Sequence, residues 1–222
     1  MEPYNVSILA IKLITHDVLR ITLAKPAGYT FTPGQATEIS INKPGWDTEK
    51  RPFTFTCLPT DDHLEFTIKT YPDRKGVTNE LLKLKPGDEL IIGDAWGAIS
   101  YKGEGVFIAG GAGITPFIAI FRHLEKENKL QGNQLLFANK MKDDIIIEDE
   151  LKRMLGKNMV SILSGETRDG YLSGYITKDL LSKYVQQDNR KFYVCGPPPM
   201  MDMVLKQLSD LGITDQAVVM EI

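Results

Sequence analysis

The hydrophobic pattern of the chain changes period near residue 105, and few architectures accommodate both halves. Before that point, short β-rich runs are separated by Gly, Pro, Asp and Asn, which is the texture of antiparallel strands joined by turns. Candidate strands are Val6–Lys12, Val18–Ala24, Thr37–Ile41, Pro52–Thr56, Leu64–Lys69 and Glu89–Ile92. In the run PFTFTC, Phe53 and Phe55 share one face while Thr54 and Thr56 share the other. Six such strands suit a small closed barrel, interrupted by a short helix from Thr78 to about Leu84. After residue 105, the apolar runs VFIA, LLFA, VSIL, FYVC and AVVM alternate with helical patterns that begin near Pro116, Glu148, Lys178 and Pro199. That alternation predicts a parallel five-stranded sheet covered by helices on both faces. The change of texture places a boundary at residues 101–105, dividing the chain into 1–101 and 102–222.

Composition narrows the function classes. Of 222 residues, 42% are hydrophobic and 25% charged, the mixture of a folded domain and not of a disordered, collagenous or coiled-coil chain. With 26 basic and 29 acidic residues the net charge is −3, and no basic run offers a footprint for nucleic acid or an anionic membrane. Cys57 and Cys195 are too few for a disulfide framework, a four-cysteine metal centre or an iron–sulfur cluster. The first residues lack the pattern of a secretory signal, so a reducing, cytoplasmic setting is expected. The uncharged stretch 105–121 is 17 residues long and broken by glycines and Pro116, which predicts a strand, turn and helix and no membrane insertion.

Three segments carry chemistry. Arg51-Pro52-Phe53-Thr54 stands on a barrel strand; alone it reads as a surface arginine beside a core phenylalanine. About 25 residues later Gly76-Val77-Thr78 opens a short helix, and a helix start offers N–H groups and a positive dipole end to phosphate. Gly110-Gly111-Ala112-Gly113-Ile114-Thr115-Pro116 follows a strand and opens a helix, so its glycines permit close backbone approach to a dinucleotide. The G-x-G-x-x-G pattern is not met, and a tight turn without a ligand stays open. Cys195-Gly196-Pro197-Pro198-Pro199-Met200 ends a strand of the parallel region, where ligands of open sheets bind. A buried cysteine with a rigid turn is its plain alternative.

In this order and setting, these segments resemble the ferredoxin and flavodoxin NAD(P)H reductase superfamily across essentially the whole chain. The resemblance implies an N-terminal six-stranded antiparallel Greek-key barrel that binds FAD and a C-terminal α/β domain that binds NAD(P). The family's Arg-x-aromatic-Ser/Thr motif is met by Arg51, Phe53 and Thr54, and its Gly-x-x-Ser/Thr motif loosely by Gly76–Thr78. By resemblance, Arg51 pairs with the FAD pyrophosphate beside Gly76, Val77 and Thr78. Phe53 packs on the isoalloxazine, Thr54 lies near flavin N5, and the backbone of Ile68, Lys69 and Thr70 runs along the ribityl and adenosine half, with Pro52 also among the flavin-binding residues. NAD(P)H lies across Gly111, Ala112, Gly113, Thr115 and Pro116, with the nicotinamide near Cys195, Gly196 and Pro197 and with Pro198 and Met200 also among the cofactor-binding residues. Thr54, Cys195 and Glu221 are the implied catalytic set; for Glu221 a solvated tail residue is the alternative.

The implied reaction passes hydride from nicotinamide to flavin and needs no protein base, because the cofactors carry the chemistry. His16, His63 and His123 accordingly read as structural or surface residues. NADPH-specific members place Ser-Arg after the third parallel strand, where this chain has Ser164-Gly165; the missing arginine favours NADH, while Lys140 and Arg168 keep NADPH open. The acceptor is expected to be a one-electron carrier protein such as a flavodoxin or ferredoxin. The alternatives are a small molecule (free flavin, a ferric chelate or a quinone) and a non-catalytic, flavin-binding redox-sensing subunit.

Overall fold

The computed structural model of the protein describes residues 3–97, 99–185 and 190–220. Its first sheet is antiparallel and comprises β1 (Tyr4–Leu13), β2 (Val18–Ala24), β3 (Ala36–Ile41), β4 (Arg51–Thr54), β5 (His63–Lys69) and β6 (Glu89–Ile92). The order is β4-β3-β6-β1-β2-β5, so β6 returns to lie beside β1. The outermost strands then meet: Phe55 bridges Phe66, and the Thr56 N–H donates to the Glu65 carbonyl at 2.8 Å. Joining the edges closes the barrel. Alternation fills it, with Leu19, Ile21 and Leu23 of β2 buried while Arg20 and Thr22 are only half-buried. Phe55 stacks on Phe31 at 4.2 Å and meets Phe66 tilted at 4.9 Å. The expected helix is α1 (Val77–Glu80) followed by a 3-10 turn, Leu81–Lys83, whose Val77 and Leu81 are buried in the barrel core.

The second sheet is parallel and has six strands where five were expected: β7 (Gly105–Gly110), β8 (Gln134–Asn139), β9 (Met159–Leu163), β10 (Leu172–Ser173), β11 (Lys191–Cys195) and β12 (Val218–Met220). The additional strand is β10, two exposed residues paired with Ile162 and Leu163 at the sheet edge; a run that short carries no readable period. The order is β10-β9-β8-β7-β11-β12. Helices α2 (Thr115–Lys126), α3 (Glu148–Leu155), α4 (Lys178–Ser182) and α5 (Pro198–Asp210) cover it. Phe107, Leu135, Phe137 and Tyr193 face α2 and α3, whereas Val106, Ile108, Leu136 and Phe192 face α4 and α5. Burial on both faces explains the continuous apolar runs. Tyr193 stacks on Phe107 at 4.1 Å, and its hydroxyl donates to the Gly103 carbonyl (2.7 Å) and accepts from the Lys102 N–H (2.8 Å), which ties the connecting stretch to the sheet.

The barrel and the α/β unit meet through apolar and ionic contacts. Val18 of the barrel is buried in the same cluster as Phe117 and Phe121. Beside it, Arg122 of α2 donates through Nη1 to the Thr56 carbonyl (2.6 Å) and Glu65 Oε1 (2.7 Å), and through Nε and Nη2 to Glu150 of α3 (2.7 and 3.0 Å). Glu65 also accepts from Thr56 Oγ1 at 2.8 Å and lies 3.6 Å from Arg20. Burial pushes the Glu65 carboxyl up, but the charge and hydrogen bond of Arg122, with Thr56 and Arg20, outweigh it and hold the group below the usual glutamate range.

Because the native proton affinity of Glu65 is depressed, its contribution to stability is whole above the ordinary glutamate value of 4.5 and is lost as the pH falls below it. Urea unfolding of wild type and Glu65→Gln, followed from neutral pH into the acid range, checks this. The variant is expected to be about 3 kcal/mol less stable at neutral pH, with the gap narrowing on acidification; a gap independent of pH would contradict it.

Candidate functional site

The strand order of the parallel sheet reverses between β7 and β11, and ligands of open α/β sheets bind beyond the carboxyl ends of strands at such a point. Both glycine-containing segments lie there. After β7, Gly111–Ile114 forms a 3-10 turn leading into α2; after β11, Gly196 and Pro197 lead into α5. The two loops touch: a Cβ on Gly113 would overlap the Cys195 carbonyl, so only glycine allows this approach.

The loops open onto a cleft of about 660 Å³. Of the residues singled out in the sequence, Gly111, Ala112, Gly113, Cys195, Gly196, Pro197, Pro198 and Met200 all line it, and Lys69 enters from the barrel side. Thr115 and Pro116 do not; both are buried in the first turn of α2, where Thr115 Oγ1 donates to the Ala112 carbonyl at 3.0 Å and steadies the loop. Lys69 and Lys140 supply positive charge to the cleft. In the structure Lys69 pairs with Asp17 at 2.5 Å, and His16 lies 3.6 Å from both Asp17 and Asp144.

Several cleft residues escaped the sequence reading. Tyr71, Asp144, Gly174 and Tyr175 come from connecting segments that carry no motif. Asn139 ends β8, is 7% exposed, and both polar atoms of its carboxamide lack a partner among the described residues. A buried amide in that state is costly unless something polar meets it. A polar residue closing an apolar strand is the one signal that pointed to it.

The barrel segments form a second group. Arg51 and Pro52 are exposed, Phe53 and Thr54 half-buried, all on β4. The Arg51 guanidinium touches only the Lys50 carbonyl (2.6 Å) and Glu49 (3.4 Å) among the described contacts, which leaves its fork largely open. Ala36 links Thr54 across β3 to the backbone of Trp96, whose side chain is 43% exposed. Gly76 caps α1, the Asn79 and Glu80 N–H groups close on its carbonyl, and nothing lies within 4 Å of where its Cβ would stand. Val77 points into the core and Thr78 is half-buried. Ile68 is buried, and Thr70 commits both its N–H (2.7 Å) and its hydroxyl (2.9 Å) to the Asp17 carbonyl. Of the two cysteines, Cys57 is buried in the barrel, which pushes its thiol up to about 12, while Cys195 is half-buried at the cleft. Glu221 lies outside the described residues.

Two family models match successive parts of the chain. Residues 3–92 match a family described as an FAD-binding domain, and residues 107–206 one described as an oxidoreductase NAD-binding domain. The chain is 32% identical to the reductase component of propane 2-monooxygenase from Rhodococcus jostii, covering 96% of this chain and 61% of that protein. It is 29% identical to NADH-cytochrome b5 reductase 2 from Mycosarcoma maydis over 87% of this chain and 61% of that one. The chain therefore spans about 61% of the length of these curated relatives. Among solved structures, the FAD/NAD-binding domain of nitric oxide dioxygenase from Vibrio cholerae superposes with a TM-score of 0.88 at 23% identity, covering 100% of this chain and 98% of that one. A ferredoxin NADP+ reductase from Neisseria gonorrhoeae, with bound FAD and NADP, gives 0.86 at 20% identity, with the same coverage.

The two glycines at the loop starts should respond differently to substitution. Gly113→Ala is expected to lose about 1–3 kcal/mol of stability because the Cys195 backbone must move, whereas Gly76→Ala, with open space before it, should change stability by less than about 1 kcal/mol. Equal losses in urea unfolding would show that the loops do not touch as described.

Proposed function

Since this chain belongs to the ferredoxin and flavodoxin NAD(P)H reductase superfamily, with its paired FAD-binding and NAD-binding domains, we propose that it is an FAD-dependent NAD(P)H oxidoreductase that hands electrons to a separate acceptor. The observation that carries this reading is the convergence on one cleft of both loops of the strand-order reversal and Lys69 of the barrel. The division of labour falls at residues 101 and 102, with the barrel for flavin and the α/β unit for nicotinamide nucleotide. When bound, the nucleotide supplies a hydride and the flavin accepts it.

The residues present fit both groups. The open guanidinium of Arg51 suits a pyrophosphate, since a planar fork favours phosphate oxygens, and the space in front of Gly76 leaves room for one. Phe53 and Pro52 offer an apolar wall, and Thr54 a hydroxyl at the barrel's edge. In the cleft, Lys69 and Lys140 meet phosphate charge, the loop from Gly111 to Gly113 offers backbone, and the unpartnered Asn139 carboxamide offers both a donor and an acceptor to a polar ligand. Gly196 and Pro197, stiffened by Pro198, would hold the nicotinamide end beside Cys195. Orientation, not proton transfer, is what these side chains contribute.

The coenzyme we assign is NADH. The segment after β9 is bonded to the one after β8 through Ser164 N–H to the Asn139 carbonyl (3.0 Å), Gly165 N–H to the Lys140 carbonyl (2.8 Å) and Lys142 N–H to Glu166 Oε1 (2.5 Å). The arginine fork that would grip a 2′-phosphate is missing after Ser164, where Gly165 stands, and Glu166 puts negative charge beside it. The acceptor we assign is a protein, an oxygenase component or a small redox carrier such as a cytochrome, ferredoxin or flavodoxin, by analogy with the named relatives. Cys57 and Cys195, both thiols, suit the cytoplasm.

An anaerobic titration of the purified protein tests the reading. A yellow protein is expected, bleached by NADH at least about tenfold more efficiently than by NADPH, a difference of ~1.4 kcal/mol. Arg51→Ala should weaken FAD binding by about tenfold or more, the loss of a charged hydrogen bond. A protein that cannot take up FAD would overturn the proposal, and one inert to both nucleotides would mark it as a flavin-binding subunit without the reductase reaction.

A further inference from the structure

Arg122 joins the two elements on which the proposed reaction depends. It stands on α2, the helix that grows directly out of the Gly111–Ile114 turn, seven residues or roughly 10 Å beyond Thr115. Its Nη1 donates to the carbonyl of Thr56 (2.6 Å), two residues beyond the end of β4, which carries Arg51, Phe53 and Thr54. The same nitrogen reaches Glu65 on β5 (2.7 Å), and the other nitrogens hold Glu150 on α3. A single planar group is thus bonded to the nucleotide-side helices and to the backbone of the flavin-side strand. Nearby ion pairs lack this reach: Arg153 and Glu125 join α3 to α2 without touching the barrel.

We infer that Arg122 is a positioning residue for hydride transfer, setting the distance and angle between the Gly111–Ile114 loop and β4. The inference rests on the reading of the cleft and barrel given above. A rigid fork is suited to this task because four bonds from one planar group fix orientation as well as distance, whereas an ammonium, a point charge with rotatable donors, fixes distance without orientation. Hydride transfer is sensitive to such geometry, a misplacement of about 1 Å costing on the order of a hundredfold in rate.

The test compares wild type, Arg122→Met, Arg122→Lys and Arg153→Met, each as FAD-loaded enzyme in single-turnover anaerobic mixing with NADH, and each as apoprotein in small-angle X-ray scattering. Arg122→Met is expected to bleach at least about tenfold more slowly, while its FAD content and the NADH concentration for half-maximal rate stay within about twofold. The long-wavelength absorbance produced by nicotinamide stacked on flavin should weaken in step. Arg122→Lys should fall between, Arg153→Met should match wild type, and the Arg122→Met apoprotein should scatter as a more extended particle. A bleaching rate for Arg122→Met within about twofold of wild type overturns the inference. Should that variant not fold, Arg122→Lys decides, with an unchanged rate as the contrary result. A wild-type protein that NADH cannot bleach refutes the functional reading itself; scattering then still judges the clamp, and identical curves for wild type and Arg122→Met or, failing that, Arg122→Lys overturn it.

Discussion

Two neighbouring parallel strands, β7 and β11, send their following helices to opposite faces of one sheet, and the site follows from that divergence. Where strands part in this way, their carboxyl ends leave a crevice that no side chain of the sheet can fill. Here Gly113 lies against the Cys195 carbonyl, and the crevice is bounded by loop backbone, prolines, Tyr71, Tyr175, Met200 and a few polar groups. On the sheet side the cleft is lined by the Gly111–Gly113 turn that leads into α2 and by Gly196, Pro197 and Pro198 after β11. The barrel closes the remaining side with Lys69. Neither unit forms the cleft alone.

The joint between the units has a different character from either core. Each core is a close-packed apolar cluster, whereas the joint combines Val18 with a charged cluster of Arg20, Glu65, Arg122 and Glu150. Buried ion pairs are weak contributors to net stability because desolvation opposes their attraction, yet they are directional. Arg122 meets its partners at fixed angles, while apolar surfaces tolerate sliding. A joint that must hold two bound groups in register gains more from direction than from area.

Much of this architecture is legible in the sequence because it depends on period. The alternation of β2 and the apolar runs of β7, β8 and β11 identify both sheets, and the glycines and prolines after β7 and β11 mark where the loops turn. What is not legible depends on distance along the chain. Arg122 and Glu65 are 57 residues apart, and a helical arginine in isolation reads as solvated. His16 meets Asp144 only because the loop after β1 and the segment after β8 come together in the fold. Tyr71 and Tyr175 are exposed aromatics in connecting segments, and β10 is too short to show a period. Motif residues also differ in what they do: Thr115 and Pro116 shape the loop from beneath, and Thr70 is spent on Asp17.

On the proposed reading, the two loops would present nicotinamide directly to a flavin on the barrel. The most direct test of that reading is the rate of anaerobic bleaching by NADH against NADH deuterated at the transferred C4 position, measured at saturating nucleotide. Direct transfer between aligned rings makes bond cleavage part of the observed step, so the deuterated nucleotide should bleach the flavin severalfold more slowly. Equal rates would mean that the flavin is reduced at a speed set by something other than the hydride step, and would contradict an account in which the geometry of this cleft governs the reaction.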